Sequence, residues 1–299
     1  MENKDFDVII IGGSYAGLSA GMALGRSVRN VLIIDNGKPC NRQTPHSHNF
    51  ITHDGKAPKE IATLAREQVE KYNTVKFHEG TVTKISKNDE FAVETQDGNS
   101  FHAKKLILAS GVKDVMPDIP GFAECWGISV LHCPYCHGYE VRNETTGILS
   151  DADMAYDFTK VVYNLTKNLS LLTNGRSALS EEQKEKLAGN KISLIEDQVE
   201  SIEHENGHIR KVIFKTGKEI SLNALYAKIP FIQNVDTSEL GCELTEQGFI
   251  KVDFMQKTNI PGLFACGDNI TMMRSVANAI AQGNFTGAVV NKELAEEQF

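Results

Sequence analysis

Residues 132–140 read HCPYCHGYE, with Cys133 and Cys136 separated by Pro134 and Tyr135 and a histidine, His132 or His137, on each outer side. Two thiols at this spacing can hold a metal, staple two strands, or exchange a disulfide with a partner. Zinc has the right ligand types here. Ligands confined to one short loop lack the second pair usually contributed from elsewhere, so a metal is not the favoured reading. Exchange needs one sulfur as a thiolate, and therefore a lowered thiol pKa.

The totals narrow the setting. The chain has 299 residues, enough for two domains or one large one, and 41% of them are hydrophobic and 23% charged, the balance of a globular protein. A formal charge of −8, with Lys104–Lys105 as the densest basic cluster, argues against nucleic-acid and polybasic membrane partners. No apolar run reaches the roughly 18 residues of a membrane helix. The start, MENKDFDVIII, enters a strand pattern without a signal-peptide layout, so a cytoplasmic location is expected. Six cysteines in such a chain do not make a disulfide framework; Cys40, Cys125, Cys242 and Cys266 read as small packing residues.

The elements that must position the cysteine pair follow a repeated plan. Residues 6–27, FDVIIIGGSYAGLSAGMALGRS, run from a β-branched strand through glycines into a small-residue helix, and VLIID ends at Asp35. The interval 35 − 12 = 23 suits a βαβ dinucleotide unit, whose acid takes a ribose hydroxyl. Gly12 makes the turn, Gly17 lets helix and strand approach, and the N–H groups at the helix start face a pyrophosphate. Ser14 stands where the second glycine is usual.

Residues 145–176 repeat the strand, turn, helix and strand, and Ser150 to Thr173 gives the same interval, 173 − 150 = 23. The turn itself reads Ser150-Asp151-Ala152, without glycines. Residues 74–111 and 192–225 alternate apolar and polar residues as small antiparallel sheets do. Pro117, Pro120 and Pro230 are the likeliest hinge markers. MMRSVANAIAQG, in the last helical stretch, has the Ala, Gly and Asn content suited to close packing against a cofactor or a sheet. The expected fold class is α/β: two Rossmann-like three-layer ββα nucleotide-binding domains, the second inserted into the first, with residues 1–116 and 231–299 in one and 117–230 in the other.

At these residues the chain resembles the low-molecular-weight thioredoxin reductases and their thioredoxin-reductase-like relatives. IIGGSYAG, VLIID, HNF at 48–50, LILASG at 106–111, CPYCHG at 133–138, GLFACGD at 262–268 and RSVANAIAQG at 274–283 carry the resemblance, nearly end to end. It implies a homodimer, tightly held FAD in the discontinuous domain, and a pyridine-nucleotide-like domain bearing the cysteines. By position, Gly12, Ser14 and Gly17 would line the FAD pyrophosphate and Asp35 its ribose. Asn49 and Gly111 would lie along the cofactor, Asp268 on the ribityl chain, and Ser275 and Val276 toward the flavin ring; family members often carry glutamine at the position of Ser275. Cys136 would be the sulfur nearest the flavin and Cys133 the outer one that meets the partner. His137 takes the place of the family's acid-base aspartate, where a neutral imidazole can move a proton near pH 7 or stand as a hydrogen-bonded spectator. His132 reads as a spectator, and His46, His48 and His53 either reach the redox centre or cap a loop.

The family's NADPH loop usually contains GGGDSA; here residues 150–155 are SDADMA. A carboxylate at Asp151, roughly 5 Å from a phosphate at an effective dielectric of ~20, costs about 3 kcal/mol, or roughly a hundredfold in affinity. After the second strand come Asn174, Gly175 and Arg176, with one cation in the stretch. Ordinary NADPH use is therefore not expected. Three readings stand: an FAD-dependent dithiol/disulfide oxidoreductase working without efficient NADPH binding, in the manner of the O2-using dithiol oxidases that the CPYCHG form resembles; a thioredoxin-disulfide reductase fed by an atypical NADPH mode or a protein donor such as ferredoxin; and a non-enzymatic flavin redox sensor. The partner is a dithiol or disulfide, either a thioredoxin-like protein or a small metabolite.

Overall fold

A computed structural model describes residues 4–150 and 154–299. In chain order the elements begin with β1 (Asp5–Ile11), α1 (Tyr15–Arg26), β2 (Val31–Asp35), α2 (Pro58–Val69), β3 (Val75–Glu79), β4 (Val82–Lys87), β5 (Phe91–Thr95) and β6 (Ser100–Leu108). Next come β7 (Val112–Asp114), α3 (Phe122–Cys125), β8 (Val130–Leu131), α4 (Pro134–His137), β9 (Thr146–Leu149), α5 (Met154–Tyr163), β10 (Leu169–Leu172) and α6 (Glu181–Gly189). The chain closes with β11 (Ser193–Ile195), β12 (Val199–Glu205), β13 (His208–Phe214), β14 (Glu219–Ser221), β15 (Ala224–Ala227), β16 (Phe231–Gln233), β17 (Leu263–Ala265) and α7 (Val276–Gln298).

Two compact units result. The first comprises Met1–Arg42, Lys56–Lys113 and Phe231–Phe299, and the second Gln43–Gly55 and Asp114–Pro230. The loop carrying His46, His48, Asn49 and His53 thus groups with the second unit.

In the first unit β1 lies parallel between β2 and β6, and β3 extends the sheet beyond β2. A strand flanked on both sides and covered on both faces reads as an unbroken apolar run; Val8, Ile9, Ile10 and Ile11 are all buried. Besides β1, β6 serves two further partners along its length: antiparallel β5 pairs with Ser100–Ala103, and parallel β17 with Leu106–Leu108. The chain therefore returns, after the second unit, to the same sheet it left. Helix α7 packs on α1, where a Cβ at Gly283 would lie 2.0 Å from the Ala16 carbonyl oxygen and one at Gly287 2.7 Å from that of Ala20. Gly283 and Gly287 of the last helix are thus matched to the backbone of another helix.

The second unit repeats the βαβ layout in a parallel sheet ordered β11-β10-β9-β15-β8, accompanied by an antiparallel β12-β13-β14 sheet. Both units are Rossmann-like, and the fold class is α/β. Among the described residues, no helix is long and apolar enough to cross a membrane.

Candidate active site

The redox pair is built at the tip of β8. Cys133 is the N-cap of α4 and Pro134 takes the first helical position, where its missing N–H costs nothing. That single helical turn brings Cys136 back over Cys133: the two are disulfide-bonded, their Cα atoms 5.3 Å apart, and the Cys136 N–H donates to Cys133 Sγ at 3.1 Å. Gly138 permits the close of the turn. A Cβ there would lie 2.2 Å from the Pro134 carbonyl oxygen and 2.4 Å from Leu165 Cδ1. Tyr135 and Tyr139, by contrast, are 71% and 69% exposed, so aromatic rings beside the pair face solvent. Both sulfurs are committed to each other, and among the described residues no three His, Cys, Asp or Glu side chains gather as metal ligands.

Burial pushes the His137 imidazole below its ordinary range; Glu140 opposes that shift and His48 adds to it. The ring is therefore neutral near pH 7, able to accept a proton. His48 Nδ1 sits 3.6 Å from Glu140 Oε1 and 3.7 Å from Asp54 Oδ1. Its neighbours do local work instead. His46 Nδ1 meets the Gly55 carbonyl at 3.0 Å, His53 stacks on Phe50 at 5.4 Å, and the Asn49 N–H donates to Asp54 Oδ1 at 2.7 Å with Asn49 at φ 57°. His132 is exposed, with its ring 6.0 Å from that of Trp126. Glu140 and Gly138 were unweighted in the sequence although both lie in the quoted stretch.

The first unit carries a cradle for a dinucleotide. Gly12, at φ +106°, could not carry a side chain: its Cβ would fall 2.3 Å from the Ala109 carbonyl oxygen. A Cβ at Gly17 would fall 1.8 Å from the Gly12 carbonyl oxygen. Asp35 accepts from the Gly13 N–H at 2.9 Å and the Gly37 N–H at 3.2 Å, and a Cβ on Gly13 would lie 2.8 Å from that of Asp35. Gly13 is thus a further cradle residue, signalled in the sequence only by the GG dipeptide. Ser14 caps α1 in extended backbone without a side-chain cap bond, and no acid stands in the first turn of α1. These features fit the pyrophosphate and ribose of FAD.

Because β1, β2, β6 and β17 are parallel, their C-terminal ends share one edge of the sheet, and Gly12, Asp35, Gly111 and Asp268 all lie at or just past those ends. Gly111 adopts φ +61° with open space around it. The Asp268 carboxylate lies 3.5 Å from Arg274 Nε and 3.6 Å from Cys40 Sγ. Cys40 is therefore exposed beside a polar group, not a packing residue; Cys125, Cys242 and Cys266 are buried. Ser275 is the N-cap of α7, its Oγ accepting from the Asn278 N–H at 3.1 Å, and Val276 begins that helix.

In the second unit, Asp151, Ala152 and Asp153 lie outside the described residues. Beyond β10, Asn174 Oδ1 accepts from the Val199 N–H at 2.7 Å, and the Ser177 N–H donates to Glu196 Oε1 at 2.8 Å. That N–H holds the Glu196 carboxyl below its usual range, with Lys184 and Arg176 contributing. Arg176 and Lys184 thus have a carboxylate, that of Glu196, beside them.

Comparison with known proteins agrees with this construction. The family profile described as pyridine nucleotide-disulphide oxidoreductase matches residues 6–283. The thioredoxin reductase tcpT of Claviceps purpurea is 33% identical over 302 residues, spanning 96% of this chain and 94% of the relative. Among solved structures, an oxidoreductase from Agrobacterium tumefaciens is 38% identical with a TM-score of 0.92, covering 98% of this chain and 99% of that one. The thioredoxin reductase of Streptococcus pyogenes is 25% identical with a TM-score of 0.89 over the full length of both. The profile match runs from the first strand into the last helix, and the chain belongs to the pyridine nucleotide-disulphide oxidoreductases, FAD-dependent, thioredoxin-reductase-like enzymes that act on disulfides.

Proposed function

We propose that the protein is a dithiol/disulfide oxidoreductase that works without efficient NADPH binding and runs in the oxidising direction, with dioxygen as the final electron acceptor. An external dithiol meets Cys133; one substrate sulfur bonds to it as the Cys133–Cys136 bond breaks, and the second substrate sulfur then displaces Cys133. The substrate leaves as a disulfide, two electrons now reside on the reduced cysteine pair, and two protons have moved from substrate thiols to enzyme thiols. His137, kept neutral by burial, is the proton carrier in that exchange. FAD, bound in the first domain, supplies the two-electron chemistry that resets the pair.

In this reading residues 1–116 and 231–299 form the FAD domain and residues 117–230 the pyridine-nucleotide-like domain. Gly12, Ser14 and Gly17 hold the pyrophosphate and Asp35 the ribose; Asn49, Gly111, Asp268, Ser275 and Val276 complete the cofactor contacts, and Cys136 is the inner sulfur. The working form is a cytoplasmic homodimer. The observation that supports this reading is the Glu196–Ser177 bond, which sets a carboxylate beside Arg176 in the segment after β10 and so weakens the case for a 2′-phosphate clamp there. The relatives named thioredoxin reductase favour a second reading, a reductase of a thioredoxin-like protein fed atypically by NADPH or by a protein donor such as ferredoxin.

Anaerobic stopped-flow absorbance separates the two. Dithiothreitol should bleach the bound flavin rapidly and micromolar NADPH should leave it yellow; prompt bleaching by NADPH would overturn the first reading in favour of the second.

A further inference from the structure

The turn that carries Asp268 is pinned by side-chain amides from distant parts of the first unit. It follows β17 directly, and Gly267 within it adopts φ +90°. Asn269 is fully buried, and its Nδ2 donates to the Leu108 carbonyl at the end of β6, 2.9 Å away. Gln233, the last residue of β16, donates through Nε2 to the Asn269 carbonyl at 3.1 Å and to that of Gly248 at 2.8 Å. The residue next to Asp268 is thus held by its side chain on one strand and by its carbonyl on another.

Neither Leu108 nor Asn269 needs these amides to satisfy its backbone. The Leu108 carbonyl already accepts the Cys266 N–H at 3.0 Å, and the Asn269 carbonyl already accepts the Ile250 N–H at 2.9 Å. Gln282 of α7 differs, because its Oε1 is the acceptor for the Gly267 N–H at 2.7 Å. Asn269 Oδ1 and Gln233 Oε1, meanwhile, are buried without a hydrogen-bond partner among the described residues. An amide that adds a second donor to a satisfied carbonyl and orphans its own oxygen gives the fold little; an apolar side chain of similar shape would serve stability as well. What the two amides do is fix the backbone on which the Asp268 carboxylate is mounted. That carboxylate is 17% exposed, with Arg274 Nε at 3.5 Å and Cys40 Sγ at 3.6 Å.

We propose that Gln233 and Asn269 are positioning residues for Asp268: they hold its carboxylate in place to accept hydrogen bonds from the ribityl hydroxyls of FAD. This rests on the reading above that puts Asp268 on the cofactor. Such bonds weaken steeply when misaligned, so a loosened turn releases FAD faster although the carboxylate is still present.

The test is FAD release from the purified holoenzyme, followed as the rise in flavin fluorescence after dilution. Gln233→Met, at a half-buried position, keeps the side-chain length and removes the donor; Asn269→Leu does so at the buried one. Each should speed release roughly three- to tenfold, the scale of one hydrogen bond. Asp268→Ala should itself speed release, and adding Gln233→Met to it should change the rate by less than about twofold, since the amide acts through that carboxylate. In Asp35→Asn, altered at the ribose end of the cofactor, Gln233→Met should keep its full effect. Release from Gln233→Met at the parent rate, or an undiminished effect of it on top of Asp268→Ala, would overturn the proposal and leave Asp268 on the cofactor. Release from Asp268→Ala at the parent rate would remove the Asp268 contact and this proposal together. Should Asn269→Leu fail to fold, Gln233→Met decides alone.

Discussion

A side chain on Gly17 would have to occupy the space of the Gly12 carbonyl oxygen, which lies 1.8 Å from where its Cβ would stand. Helix α1 and the turn it leaves are therefore in backbone contact, and the N–H groups of the helix start are aimed by that contact. Gly17→Val should cost at least about 3 kcal/mol, since neither partner is a flexible side-chain end that can move aside. Bound flavin should be lost as well. Visible absorbance of the purified protein and its thermal melting check the two effects separately; a yellow variant with a parental melting curve would mean that the cradle tolerates a displaced helix.

Lys105, on β6, is held between Glu293 and Glu297 of α7, with Lys257 also on Glu293. Burial works against the Lys105 charge, yet the two carboxylates more than offset it and raise its pKa. Burial likewise opposes Glu293, and Lys105 and Lys257 together hold it below the carboxylate range. A carboxyl with a depressed folded pKa contributes stability fully present above its unfolded value of about 4.3 and lost as pH falls through the lower folded value. Glu293→Gln should therefore flatten the acid limb of the stability curve between those two values, as measured by urea unfolding at a series of pH values. Lys105→Ala should cost about 2–4 kcal/mol at neutral pH, because it leaves two partly buried carboxylates short of a cation.

The first βαβ unit and the cysteine pair were readable because their causes are local. A buried parallel strand must be apolar throughout, a turn against a phosphate must be glycine, and a two-residue spacer lets one helical turn join two thiols. What escaped the sequence depends on contacts between distant positions. His48 and Glu140 are 92 residues apart (140 − 48), and nothing in either segment states that they meet. Glu196 is an ordinary surface acid until its bond to the Ser177 N–H is seen. The stripe RSVANAIAQG announced close packing against a cofactor or a sheet, and the backbone of α1 at Ala16 is what lies against its Gly283. Cys40 failed as a packing residue for the same reason: small apolar character says where a thiol can be buried, not where it is.

The cysteines make a direct labelling prediction. Burial raises the thiols of Cys125 and Cys242, and it pushes Cys266 up to about 12 despite the opposing Thr286 hydrogen bond, so none of the three presents a thiolate to reagent. Cys40 is exposed, with the Asp268 carboxylate at 3.6 Å disfavouring its thiolate. N-ethylmaleimide on the native oxidised protein should label Cys40 alone, slowly, and faster in Asp268→Asn. Mild reduction should add Cys133 and Cys136. Peptide mapping that finds label on Cys266 before unfolding would contradict the burial argument.

On the proposed reading, two carboxylates, Asp151 in the loop sequence and Glu196 past β11, disfavour a pyridine nucleotide, and reversing them should then raise its binding. Removing the Asp151 charge relieves the penalty of about 3 kcal/mol, roughly a hundredfold in affinity. Replacing Glu196 by arginine exchanges a negative charge for a positive one beside Arg176, where a 2′-phosphate would otherwise meet repulsion. The double variant Asp151→Gly with Glu196→Arg should therefore bleach its flavin with NADPH at least tenfold faster than the parent under anaerobic conditions, and prefer NADPH to NADH, since only the former carries the phosphate that the new cation recognises. Asp151→Gly alone should quicken both nucleotides equally. If the double variant stays as indifferent to NADPH as the parent while binding it tightly by titration, the barrier is to hydride delivery and not to nucleotide charge, and the electrostatic account of this unit fails.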